Sequence, residues 1–148
     1  MPRGTNGKYK SCTIKISKKQ LSFLENYSQK IEPLESCAIL LGKKNDTQFV
    51  INEIITMQNE EKSEIRFAIK NDKLFEAYKE AESKNLSVIG IYHSHPSDPY
   101  PSKTDIIYMQ INPVPWIITS TITRTTKCYL YEEEKGLINI ELIVTDLF

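Results

Sequence analysis

The stretch Val88-Ile89-Gly90-Ile91-Tyr92-His93-Ser94-His95-Pro96 decides how this chain is read. Its first five residues are apolar at both parities, the pattern of a central strand covered on each face rather than a half-exposed one. The two histidines that follow are the only ones in 148 residues. In extended backbone, positions i and i+2 project to the same face, so both imidazoles can reach a single point without a bend in the chain. Two neutral imidazoles suit zinc well.

A catalytic zinc takes three protein ligands and keeps a fourth position for water, so a third ligand is expected nearby. Asp105 is the candidate. The segment between, Pro96-Ser97-Asp98-Pro99-Tyr100-Pro101, carries three prolines, which stiffen the turn and lower the entropic cost of bringing Asp105 back to the histidines. Ser102 and Asp105 also have the spacing of a helix capping box, an ordinary structural use of the same residues. Hydrolysis needs a proton carrier as well, and Glu35 is the candidate. It precedes the apolar run Cys37-Ala38-Ile39-Leu40-Leu41-Gly42, where desolvation can raise a carboxylate pKa. Ser102 is the candidate donor to the oxyanion of a tetrahedral intermediate. Cys37 shares a strand face with Glu35, but a buried free cysteine is commonly just a small apolar residue.

Working outward, residues 12–17 alternate with Cys12, Ile14 and Ile16 on one face, which predicts a strand. Ser17 and Gln20 then form a capping box for a helix carrying Leu21, Leu24 and Ile31 and stopped by Pro33. Strands over 36–42 and 48–57, joined by Lys43-Lys44-Asn45-Asp46, predict a hairpin. Residues 58–63 are polar enough for an exposed loop, and Ile65, Phe67 and Ile69 alternate as a further strand. Asn71 is placed to cap a helix with Leu74, Phe75, Tyr78 and Ala81 on its packing face. A short helix is expected from Ser102 to Ile111, then strands over 116–121, 127–131 and 137–144. This order implies an α/β sandwich with a mixed sheet, not a regular doubly wound one.

The length suits one domain, read as a loose tail over residues 1–10 and a single folded unit over 11–148. Nineteen Lys and Arg balance nineteen Asp and Glu, which argues against a nucleic-acid or anionic-membrane partner. Cys12, Cys37 and Cys128 are odd in number and form no C-x-x-C pair, so neither a disulfide framework nor a zinc knuckle is indicated. No apolar run approaches spanning length, and the polar, basic start lacks an apolar signal core. The expectation is a cytoplasmic protein.

The residues Glu35-x-Cys37-Ala38, then His93-Ser94-His95-Pro96, then Pro101-Ser102-x-x-Asp105 resemble the signature of the JAMM (MPN-plus) zinc metalloproteases. The resemblance spans about residues 14–144. It implies a cytidine-deaminase-like MPN sandwich, a central mixed β-sheet flanked by helices. It further implies one Zn2+ per chain held by His93, His95 and Asp105, with Glu35 as general acid/base and Ser102 steadying the oxyanion. Two departures stand out. Six residues separate His95 from Ser102 where the family usually has about seven, and Ala38 stands where many members have glycine, a change expected to be tolerated.

What the resemblance implies about activity is an isopeptidase of deubiquitinase or desampylase kind, hydrolysing the bond after the extended C-terminal tail of a ubiquitin-like modifier. The tail is expected to bind as an added strand. Two rival readings stay open: a peptidase processing a sulfur-carrier protein adduct, and a non-catalytic MPN scaffold subunit. Silent scaffolds of this kind typically lose metal ligands, and all three candidates are present here. With no histidine beyond His93 and His95, the additional zinc-binding insertion of linkage-specific eukaryotic members cannot be rebuilt. The chain is expected to act as a monomer or homodimer.

Overall fold

The apolar 88–92 run lies in the middle of the structure, as its composition requires. The computed structural model describes residues 12–58 and 71–146. The elements within them are β1 (Thr13–Ser17), α1 (Lys18–Lys30), β2 (Cys37–Lys44), β3 (Gln48–Met57), α2 (Asn71–Ser83), β4 (Ser87–His95), α3 (Lys103–Ile111), β5 (Trp116–Ser120), β6 (Thr126–Glu132), β7 (Gly136–Asn139) and β8 (Glu141–Thr145). The expected tail over 1–10 and the expected strand around Ile65, Phe67 and Ile69 lie outside the described residues. No helix among the described residues is long and apolar enough to cross a membrane.

The strands form one mixed sheet in the order β7-β6-β5-β4-β2-β3-β1-β8. Strand β4 pairs antiparallel with β2 and parallel with β5, and every residue from Val88 to His95 is buried. Both of its faces are covered by apolar clusters. Ala38, Leu40 and Tyr92 join Leu24 of α1 on one side. Cys37, Ile39, Leu41 and Ile91 join Ala77 and Ala81 of α2 and Met109 of α3 on the other.

Local chemistry explains the element ends. The Ser17–Gln20 capping box forms in both directions, with Gln20 N donating to Ser17 Oγ at 3.0 Å and Ser17 N to Gln20 Oε1 at 2.9 Å. The β2–β3 turn is tightened by Asn45 Oδ1, which accepts the amides of Thr47 and Gln48, the turn-building habit of short amide side chains.

Two expectations are corrected. The packing face of α2 is Leu74, Ala77 and Ala81, whereas Phe75 and Tyr78 are 64% and 46% exposed. Two alanines let the helix lie close to the sheet and narrow the stripe that touches it. The strand expected over 137–144 is two strands, β7 and β8, at opposite ends of the sheet. Alternation continues through Ile140, so the pattern alone holds no sign of the break. The sheet curls until its ends approach: Ile140 N donates to Cys128 O of β6 at 2.9 Å, and the next residue, Glu141, is already paired with Thr13.

Strand β2 is bulged at Leu41/Gly42, and a Cβ on Gly42 would lie 1.9 Å from the Val50 carbonyl oxygen. Since that neighbour is backbone, Gly42→Ala is expected to cost about 1–3 kcal/mol of stability. Urea unfolding measures this, and an unchanged midpoint would show that the two strands are not so close.

Candidate metal centre

Strand β4 ends with His93 and His95 on the α2/α3 side of the sheet, and the N-cap of α3, Ser102, stands three residues before Asp105. The i, i+2 relation holds the two rings 4.6 Å apart, centroid to centroid, at 73°. Trp116 of the neighbouring strand packs its ring edge-on to His93, 5.8 Å away at 87°. His93, His95, Asp105 and Glu35 are all buried, at 0%, 5%, 5% and 2% exposure. Four ionisable side chains in one buried place is costly unless they share charge.

Asp105 Oδ2 is the hub. It lies 2.9 Å from His95 Nε2 and 3.3 Å from His93 Nε2, and it accepts the Ser102 backbone amide at 2.9 Å. Ser102 Oγ in turn accepts the Asp105 amide at 3.0 Å. Capping and convergence on the histidines are therefore one arrangement, since the box that starts α3 also aims the carboxylate. Because Oγ is used there as an acceptor, the Ser102 hydroxyl proton is left to donate elsewhere. The six-residue turn reaches this geometry with the help of His95 Nδ1, which faces the Asp98 carbonyl at 3.3 Å, and of Tyr100 N, which donates to the same carbonyl at 2.8 Å.

Each ring presents its Nδ1 to a main-chain carbonyl, His93 to Ser94 O at 3.3 Å and His95 to Asp98 O at 3.3 Å. With a metal bound, this would place the proton on Nδ1 and leave a lone pair on each Nε2, the tautomer of a metal-ligating histidine. Two lone pairs and an anionic oxygen then meet, which is repulsive unless a proton or a cation sits among them. Ligand atoms about 2.0–2.1 Å from a tetrahedral zinc lie roughly 3.3 Å from one another. The His93 Nε2–Asp105 Oδ2 separation of 3.3 Å fits that. The donor set thus suits zinc.

A second grouping is available, since Glu35, His93 and His95 offer ligand atoms within 4.8 Å of one another. The Asp105 set is preferred on geometry. Both Nε2 atoms meet Oδ2, whereas the Glu35 carboxylate approaches His93 at Nδ1, 3.7 Å away. Burial pushes Glu35 up to about 8, with His95 opposing and the Asp105 charge adding to it. Burial works against the Asp105 anion too, but the close approach of the His93 and His95 rings outweighs it and holds the carboxyl well below the usual carboxylate range. Burial lowers His93. For His95, burial is outweighed by the hydrogen bond and charge of Asp105, and its pKa rises.

Cys37 is fully buried, and its thiol is directed to the Met57 carbonyl at 3.6 Å. Ala38 fills a core position. The sequence reading passed over a buried hydroxyl cluster on the other face of β4, Ser28, Ser36, Tyr92 and Ser94. The available signal was parity: a serine between two inward-facing histidines must point into the opposite face of a covered strand.

A central strand ending in H-x-H, answered by S-x-x-D at a helix start within a mixed sheet, gives an α/β domain with a candidate metal site. The chain belongs to the prokaryotic homologs of the JAB domain, whose family model matches residues 21–130. It is 30% identical over 112 residues to a desampylase of Pyrococcus furiosus, covering 75% of this chain and 76% of that protein. The fold is similar to that of protein DSY2949 from Desulfitobacterium hafniense, with a TM-score of 0.79 at 22% identity over 92% of this chain and 95% of that one. A protein from Salinibacter ruber is similar with a TM-score of 0.67 at 21% identity, over 90% and 92%.

The cap makes a testable distinction. Ser102→Ala is expected to lose about 1 kcal/mol of stability and Ser102→Gly only a few tenths, although both remove the hydroxyl. Equal and large losses in thermal unfolding would show that Ser102 does more for the fold than begin α3.

Proposed function

We propose that this chain is a zinc-dependent isopeptidase, hydrolysing the bond that follows the C-terminal tail of a ubiquitin-like modifier. The observation that carries the reading is the convergence of His93 Nε2, His95 Nε2 and Asp105 Oδ2 in a buried site, with Glu35 beside it. Likeness to a desampylase supports the substrate class. A purely structural role gives no reason to bury these four groups together.

In this reading His93, His95 and Asp105 hold one zinc, and residues 11–148 form a single catalytic domain. When bound, zinc supplies Lewis acidity, polarising the scissile carbonyl and making water a stronger nucleophile. Glu35 accepts the proton that water loses as its oxygen attacks the carbonyl carbon. It then passes that proton to the departing lysine nitrogen as the C–N bond breaks, so its charge is restored after each turnover. Ser102 donates its hydroxyl proton in a hydrogen bond to the carbonyl oxygen as negative charge builds there. The capping bond from Asp105 N holds that hydroxyl in place between turnovers.

Glu35→Gln keeps the side chain's volume and removes its basicity. It is expected to retain one zinc per chain and lose about 10²–10⁴ in kcat on a modifier–lysine isopeptide conjugate. Asp105→Ala is expected to lose the metal itself, seen as sub-stoichiometric zinc after dialysis. Cleavage that survives Glu35→Gln unchanged, or wild-type protein that holds no zinc, would end this reading.

Zinc retention is expected to depend on pH in one direction. Zinc binds the deprotonated imidazoles, so protons compete with it as pH falls through the histidine range near ~6.5. The raised pKa of His95 lets that competition begin at higher pH than an ordinary histidine would. Affinity measured against a chelator should climb with pH across this range, and a flat profile would remove the histidines from the ligand set.

A further inference from the structure

Ser94 sits between the two histidines, and its side chain points the other way. It is 1% exposed, on the α1 face of β4. There, the ladder between β4 and the segment entering β2 departs from the regular pattern. In an antiparallel pair, opposed hydrogen-bonding residues exchange both N–H···O bonds through the main chain. Ser94 N does donate to Ser36 O at 3.2 Å. The return bond does not go to the Ser94 carbonyl: Ser36 N donates to the Ser94 hydroxyl oxygen at 2.9 Å. The carbonyl, which lies on the same side of the strand, instead faces His93 Nδ1 at 3.3 Å.

We infer that Ser94 is a positioning residue for the metal centre: its hydroxyl takes over the Ser36 amide, which frees the Ser94 carbonyl to hold the His93 ring with Nε2 aimed at Asp105. The inference rests on the ligand assignment proposed above and deepens it. The same contact also ties Ser36, and with it the adjacent Glu35, to the strand that carries both histidines. The hydroxyl is itself braced from below. Ser36 Oγ donates to Ser94 Oγ at 3.0 Å, and Ser28 Oγ lies 2.8 Å from Ser36 Oγ and 2.8 Å from the Tyr92 hydroxyl. Ser28 Oγ also lies 3.0 Å from the Leu24 carbonyl of its own helix, so its single proton is shared between that oxygen and Ser36 Oγ. A chain of buried hydroxyls with all members engaged gives a rigid support where a single bond would swing.

Without the Ser94 hydroxyl, the Ser36 amide returns to the Ser94 carbonyl and competes with His93 Nδ1 for it. A partner that orients a metal-bound histidine is worth about 10–100-fold in metal affinity or activity. The experiment compares three variants of the full chain by zinc affinity against a chelator, by thermal unfolding, and by kcat and KM at saturating zinc. Ser94→Ala is expected to weaken zinc binding by about 10–100-fold and to lower kcat with KM unchanged. Ser94→Thr retains the hydroxyl and is expected to restore both. Ser28→Ala removes a hydroxyl from the same cluster without touching the Ser36–Ser94–His93 connection; it should lower stability and weaken zinc binding far less than Ser94→Ala does.

If Ser94→Ala binds zinc as tightly as wild type, or if Ser28→Ala weakens zinc as much as Ser94→Ala does, the inference is overturned while the proposed function stands. Wild-type protein that binds no zinc overturns the function instead. Should Ser94→Ala not fold, nitrogen-15 NMR of the zinc-loaded wild type decides the matter. A slowly exchanging His93 Nδ1 proton supports the inference, and a rapidly exchanging one overturns it.

Discussion

Everything at this site depends on one oxygen atom, Asp105 Oδ2, which meets two imidazole nitrogens and a backbone amide in a buried place. An anion is affordable there only because donors or a cation surround it, and an isolated buried carboxylate would take up a proton instead. The fold meets the requirement by placing the end of a fully buried strand against the start of a helix. The strand supplies rings at fixed parity. The helix start supplies an amide and a side chain already bent toward it. Neither element makes the centre alone, which is why the turn joining them matters as much as the ligands.

That turn is one residue shorter than the usual family spacing, yet the carboxylate arrives. Its stiffness comes from three prolines and from the Asp98 carbonyl, which receives both Tyr100 N and the His95 ring. Beyond it, the Tyr100 ring packs against Tyr129 of β6, centroids 5.5 Å apart. The other side of His95 is tied down too, since its carbonyl accepts both the amide and the hydroxyl of Thr121 at 2.8 and 3.2 Å. A short, over-determined turn gives a ligand little freedom, and pre-organisation of this kind lowers the entropic cost of binding a metal.

Much of the site was legible in the sequence because its chemistry is written at short range. His93 and His95 share a face by parity, and Ser102 and Asp105 are related by the helical first turn, so local rules place each pair. The central strand followed from the apolar run 88–92, and the mixed sheet from the order of strands and helices. What was not legible depended on long-range shape. The split of 137–144 into β7 and β8 arises because the curled sheet brings its two edges together, and alternation runs through Ile140 regardless. The exposure of Phe75 and Tyr78 follows from how closely Ala77 and Ala81 let α2 approach, a matter of fit rather than of period. Glu35 stood in between: its type and neighbours were visible, but its distance from His93 is set by the pairing of β2 with β4.

That pairing explains how Glu35 and the candidate ligands His93 and His95 come from distant parts of the chain and are still held in register. Cys37 lies opposite His93 in the ladder, so Glu35 stands just beyond the paired end of β2, where side chains are no longer fixed by strand geometry alone. The fold compensates by continuing the connection through side chains: the Ser36 amide and hydroxyl both reach the Ser94 hydroxyl. Glu35 is thus held at the boundary between regular ladder and loop. A carboxylate one residue further into β2 would be locked by the sheet, and one several residues earlier would belong to the turn after α1 and its motions.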